Sequence, residues 1–170
     1  MIDADTGNLH LPNGFVITPT LTLDAFRHSR FGREAKPNYV TNEPWNCWYN
    51  FVVPAPDAKP MTFGPSFHEQ MLVSLTLRID TSFALEDSME AGLEAEVRIK
   101  AFHDNLLRQD LGEPTLVKKD TGEDTPGLDY SVYYELSWGK VHSTFDYGGG
   151  DAYISIEYAD RREQARTDKQ

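Results

Sequence analysis

The strongest signal along the chain is alternation. In "FHEQMLVSLTLRID", residues 67–80, Phe67, Met71, Val73, Leu75, Leu77 and Ile79 fall on one side of an extended chain. His68, Gln70, Ser74, Thr76, Arg78 and Asp80 fall on the other. Strand side chains point alternately to two faces, so the pattern predicts one long strand with a core face and a polar face. "WNCWYNFVV" reads the same way, with Trp45, Cys47, Tyr49, Phe51 and Val53 opposite Asn46, Trp48, Asn50 and Val52. Three further period-two runs follow near the end, "YSVYYELSW", "KVHSTFDY" and "DAYISIEY", the last two joined across Gly148-Gly149-Gly150.

Helical spacing appears in two places. In "EDSMEAGLEAEVRIKAFHDNLLRQDLGEP", Ala95, Ile99, Phe102 and Leu106 recur at helical intervals and predict the buried stripe. Glu94–Arg98 and Glu96–Lys100 are i, i+4 pairs, Asp87 with Glu90 makes a box-like start, and Gly112 followed by Pro114 ends the helix. Nearer the start, Thr22 is placed to cap a short helix in which Leu23 and Phe26 share a face and Arg27, His28 and Arg30 face outward. Before it, Pro12-Asn13-Gly14 between two apolar pairs predicts a hairpin, since Asn-Gly supplies positive φ. Residues 32–44, 54–65 and 118–129, rich in proline, glycine and charge, read as loops. The expectation is an α+β fold in one domain, residues 1–160, with a polar C-terminal tail at 161–170. Its sheet should be largely antiparallel, with about six to seven strands and two helices against one face.

Composition adds compartment and partner. A chain of 170 residues with 39% hydrophobic content is long enough for a core that buries about 70% of the unfolded surface. No basic leader with a short apolar run opens it, and no apolar run of membrane-spanning length occurs, so a cytoplasmic location and no membrane partner are expected. The single Cys47 allows no internal disulfide and reads as a buried small residue. A net charge of −11 repels nucleic-acid backbones and steers basic partners toward the surface.

No sequence motif announces a reaction. Phosphate loops, H-E-x-x-H, G-x-S-x-G and paired C-x-x-C are missing, and Gly148–Gly150 lead into a strand rather than a helix start. The five histidines, His10, His28, His68, His103 and His142, lack zinc-like spacing, and the acidic stretches at 3–8 and 120–124 lack the distal glutamate of a calcium loop. No catalytic residue, metal or cofactor is therefore assigned. The candidate binding residues are Trp48, His68, Arg78, Tyr133, Glu135, His142 and Asp146, because the polar sides of the alternating runs would place most of them on one sheet surface. An enzyme or ligand-binding protein using His68, His142 and Asp146 is the alternative, since His142, Thr144 and Asp146 share a face. A module built on Trp45, Trp48 and Trp138, or a homodimer, is also left open.

Three stretches, "LHLPNGFVITPTLTLDAFRHS", "FHDNLLRQDLGEP" and "YELSWGKVHSTFDYGGGDAYISIEY", together resemble small bacterial proteins of the immunity type, some of them found beside polymorphic toxin genes. The resemblance covers most of the chain and brings no catalytic residue with it. It implies a non-catalytic protein-binding role, and an acidic immunity protein would suit a basic toxin.

Overall fold

The computed structural model of the protein describes residues 1–11, 13–40, 46–55, 58–79, 89–120 and 125–158. The Asp87 box, Trp45 and the 161–170 tail lie outside them. The fold is mixed α+β. Two short strands, β1 (Leu9–His10) and β2 (Val16–Ile17), form the expected hairpin, with Leu9 opposite Ile17 and Gly14 at φ 84°. Asn13 Oδ1 accepts the Phe15 N–H and fixes the turn. Helix α1 (Leu23–His28) starts at Thr22, whose hydroxyl accepts the Ala25 N–H at 3.2 Å, and buries Leu23 and Phe26 as the spacing predicts. Ser29 ends α1 and caps the next short helix, α2 (Arg30–Glu34).

Eight antiparallel strands make the main sheet, where the sequence pattern predicts six to seven. They are β3 (Lys36–Val40), β4 (Asn46–Ala55), β5 (Ala58–His68), β6 (Met71–Ile79), β7 (Leu116–Lys119), β8 (Tyr130–Leu136), β9 (Gly139–Asp146) and β10 (Asp151–Tyr158). Their order is β3-β4-β5-β6-β10-β9-β8-β7. Two four-stranded meanders thus run toward each other and meet at a seam, where Leu77 pairs with Ile154 and Leu75 with Ile156. Between them in the sequence stands α3 (Met89–Leu111), which ends at Gly112 in the left-handed region, with the Gly112 N–H donating to the Arg108 carbonyl.

Four expectations change. The proline-rich stretch at 54–65 is not a loop: most of it is the first part of β5, paired on both sides. Prolines normally mark edges, and the register irregularities beside Ala55 and between Ser66 and Phe67 show where this strand departs from a regular ladder. The stretch 67–80 is two strands rather than one, turning at Glu69-Gln70 with Glu69 at φ 55°. The turn and the irregularity also shift the pattern, so that Leu72, not Met71, sits opposite Phe67. Residues 32–44 contain the end of α2 and β3, and the short β7 precedes and enters the charged stretch at 118–129. Finally, α3 buries only part of the expected stripe: Ala95 and Ile99 are buried and Leu106 packs partly against the core as the spacing predicts, but Phe102 is 46% exposed, and Lys100, His103 and Leu107 are buried instead.

The core lies on one side of the sheet. Phe63, Phe67, Leu72, Leu75, Leu77, Val132, Tyr134, Val141, Ile154 and Ile156 form one cluster with Leu9 and Ile17 of the hairpin, Leu23 and Phe26 of α1 and Leu107 of α3. The rings of Phe26 and Phe67 meet at 5.4 Å. Each fully buried Leu, Ile or Phe of this size stabilises by about 1.5–3 kcal/mol. Trp138 belongs to this packing: its indole N–H donates to the Ala4 carbonyl at 2.8 Å and its ring lies so close over Gly7 that a Cβ there would stand 2.6 Å from it. It anchors the N-terminal segment.

Candidate functional site

Alternation puts a different set of side chains on the opposite face of β5, β6, β8, β9 and β10. On β8 and β9, Tyr133 lies directly opposite His142, and their rings stack at 5.6 Å with 27° between planes. Tyr153 on β10 meets the other edge of His142 at 6.3 Å and 65°. One position beyond the Ile154–Leu77 pair, the Arg78 guanidinium sits 5.4 Å from the centre of the Tyr153 ring and is ion-paired with Asp151. Four strands therefore contribute one continuous row: Tyr133, His142, Tyr153, Arg78.

Carboxylates rim the row. Glu135 pairs across the strands with Lys140 at 3.4 Å, and Glu157 stands exposed opposite Lys140. Asp146 and Asp151 face each other at the end of β9 and β10. Burial lowers the pKa of His142 from its ordinary 6.5, against the pull of Glu157, so the stacked imidazole is neutral at pH 7. Burial raises Tyr153 and Asp151, and Arg78 opposes both shifts. Toward β7, the Ser131 hydroxyl donates to Asp120 at 2.9 Å and lies 2.7 Å from the Thr144 hydroxyl, which fixes the floor beside Tyr133.

Of the residues expected to act together, Arg78, Tyr133 and His142 do meet, through Tyr153. Glu135 and Asp146 lie on the same face at its margins. His68 does not join them: β5 is three strands from β9, about 14 Å by strand spacing alone. Trp48 lies on β4, four strands from β9, with its backbone opposite Ser66. His142 and Asp146 share a face but stand four positions apart along one strand, about 13 Å, far beyond hydrogen-bond reach. Asp146 is instead used locally, where its Oδ1 accepts the Gly148 N–H at 2.9 Å. Among the described residues His142 has no hydrogen-bonding partner, so its ring is held by stacking and lacks the carboxylate that would orient a general base. What the row offers is a π-rich surface with a cation at one end, suited to stacking side chains and to cations over the tyrosine rings.

A second polar group lies beneath α3. The ammonium of Lys100 is fully buried, donates to both carboxylate oxygens of Asp104 at 2.7 and 2.8 Å, and stands 4.1 Å from the centre of the Tyr130 ring. The Tyr130 hydroxyl donates to Asp104 at 2.7 Å. Burial lowers the Lys100 pKa and Asp104 opposes the shift; burial and the Asp104 bond together raise Tyr130. Glu96 does not pair with Lys100 as its spacing suggests, but accepts the Ala152 N–H at 2.7 Å. The signal for this network is present in the sequence as a second i, i+4 pair, Lys100–Asp104. Being closed and mutually satisfied, it reads as a buried structural network.

Among the described residues no three His, Cys, Asp or Glu side chains gather as a metal site, and no helix is long and apolar enough to cross a membrane. No known family model, curated protein or solved structure matches this chain.

Proposed function

We propose that the protein is a non-catalytic binding module of the immunity type, which captures a basic protein such as a bacterial toxin in the cytoplasm through the face carrying Tyr133, His142, Tyr153 and Arg78. The observation that carries this reading is the row itself: three rings in contact, one pair stacked and one edge-on, and a guanidinium on the side of the sheet away from the hydrophobic core. Tyrosine and arginine are the side chains that most often supply binding energy at interfaces, because they bury much area with little loss of freedom. Charge fits the same reading. On this face Lys140 is matched by Glu135 and Arg78 by Asp151, and the whole chain carries −11. A basic partner would be drawn in, and nucleic acid kept away.

The test is to co-express the protein with the product of its neighbouring gene, purify the complex and follow association by rapid mixing. A stoichiometric complex is expected, with an on-rate that falls steeply between low and physiological salt, where the screening length shortens to about 8 Å. Tyr133→Ala and Tyr153→Ala should each weaken it by tenfold or more. Binding indifferent to both substitutions and to salt, or association only with a second copy of this chain, would overturn the proposal.

A further inference from the structure

One layer of the contact between α3 and the sheet is polar where its neighbours are apolar. Ile99, His103 and Leu107 recur every four residues and make one stripe of α3, about 6 Å per step. Phe145, Ser143 and Val141 recur every two residues and make one stripe of β9, about 6.7 Å per step. Ile99 packs in one cluster with Phe145, and Leu107 packs in the other with Val141 and Tyr134. The middle rung therefore brings His103 to the level of Ser143, with Tyr134 diagonal to Ser143 on the adjoining strand.

That rung is unsatisfied. His103 and Ser143 are fully buried and Tyr134 is 2% exposed. Neither ring nitrogen of His103, nor the hydroxyls of Ser143 and Tyr134, has a hydrogen-bonding partner among the described residues. The charged groups acting on the ring are Lys100 and Asp104, both on α3 and bound to each other. From the sheet side, β9 and β10, against which α3 packs, bring Ser143 and its cross-strand partner Ile154 to this layer, and β8 adds the neutral Tyr134 and Tyr130, the latter already engaged with Asp104.

We infer that His103 is an acid-sensitive latch, which seats α3 on β9 and β10 while its ring is neutral and drives the helix away from the sheet when the ring takes up a proton. A charged imidazole at this rung would be buried without a carboxylate of its own, since Asp104 is held by Lys100 and Tyr130. Burial, with Lys100 adding to it and Asp104 opposing, holds His103 down to about 4 from the ordinary 6.5. The folded protein thus binds fewer protons than the unfolded chain between these values. The stability this confers is complete above pH 6.5 and is lost as the pH falls toward 4. The inference does not depend on the proposed partner, because it concerns the opposite side of the sheet, where α3 packs on β9 and β10.

The experiment compares the wild-type chain with His103→Leu, by denaturant unfolding at steps from pH 7 to pH 4 and by hydrogen exchange of the α3 amides over the same range. In the wild type the folding equilibrium constant should fall on the order of a hundredfold more than in His103→Leu, because the imidazole binds its proton that much more weakly in the folded chain than in the unfolded one. Amides of α3 should lose protection before those of β5 and β6. Should the leucine variant not fold, the imidazole carbon shifts of wild-type His103 decide: they should stay at the neutral position down to pH 5. Titration of His103 near pH 6.5 with α3 still protected would overturn the latch, as would identical pH slopes in the two proteins.

Discussion

The two faces of the sheet use polar groups in opposite ways. Under α3, Lys100, Asp104 and Tyr130 are closed on one another, with the lysine fully buried. On the other side, Arg78 and Asp151 pair with side chains 39% and 22% exposed, and the adjoining Tyr153, His142 and Tyr133 touch only through their rings. A buried network of this kind specifies how a helix seats, because a missing member leaves an uncompensated charge. A half-exposed row of rings is weakly committed to its own fold and leaves part of its ring surface open to solvent. A binding role therefore suits the second face, although the larger electrostatic perturbations lie on the first.

This contrast can be broken or sharpened by substitution. Asp104→Ala strands a buried ammonium and should cost about 3–5 kcal/mol in urea unfolding, whereas Lys100→Met combined with Asp104→Leu should recover most of that loss. A cost below about 1 kcal/mol for the single change would mean that Lys100 reaches water, and the faces would then differ less than described. Ile156→Ala, at the seam between the meanders, should cost about 2–5 kcal/mol, and an unchanged melting temperature would remove that strand from the core. Gly139→Ala tests close backbone approach, since a Cβ there would stand 2.1 Å from the Glu157 carbonyl. About 1–3 kcal/mol is expected as β9 and β10 are forced apart. Smallest of all, Tyr153→Ala or His142→Ala should alter unfolding free energy by about 1 kcal/mol or less. If either change proved as costly as Ile156→Ala, the row would be part of the core and not a surface held ready for a partner.

Alternation is most informative in this sequence where the ladder is regular. Val141, Phe145, Ile154 and Ile156 pack in the core, while Tyr133 and His142 share the other face, both as the period of two requires. It fails where something interrupts the period. Glu69 in the left-handed region turns the chain without glycine, and Pro60 and Pro65 lie inside β5, so an unbroken alternation conceals a hairpin and a proline-rich strand resembles a loop. The helix face escapes for a different reason. Lys100, His103 and Asp104 are types that normally face water, and the burial of Lys100 and Asp104 depends on Tyr130, a partner distant in sequence. The row itself is half legible: Arg78, Tyr133 and His142 stand out on polar strand faces, but Tyr153, which joins them, is identified only once β10 is known to lie between β6 and β9.

The seam also governs how the molecule comes together in time. Each meander is built from neighbouring strands and closes short loops, but β6 receives its second partner only from β10, the last strand of the other meander. During synthesis β6 emerges long before its complement, as an open edge of alternating Leu, Ser and Thr, and such edges invite pairing with another chain. Joining Leu75 and Leu77 to Ile156 and Ile154 is thus the most non-local strand pairing in the sheet and the step expected to set the rate of assembly. Pulsed hydrogen exchange during refolding would detect it as late protection of amides at the β6–β10 junction.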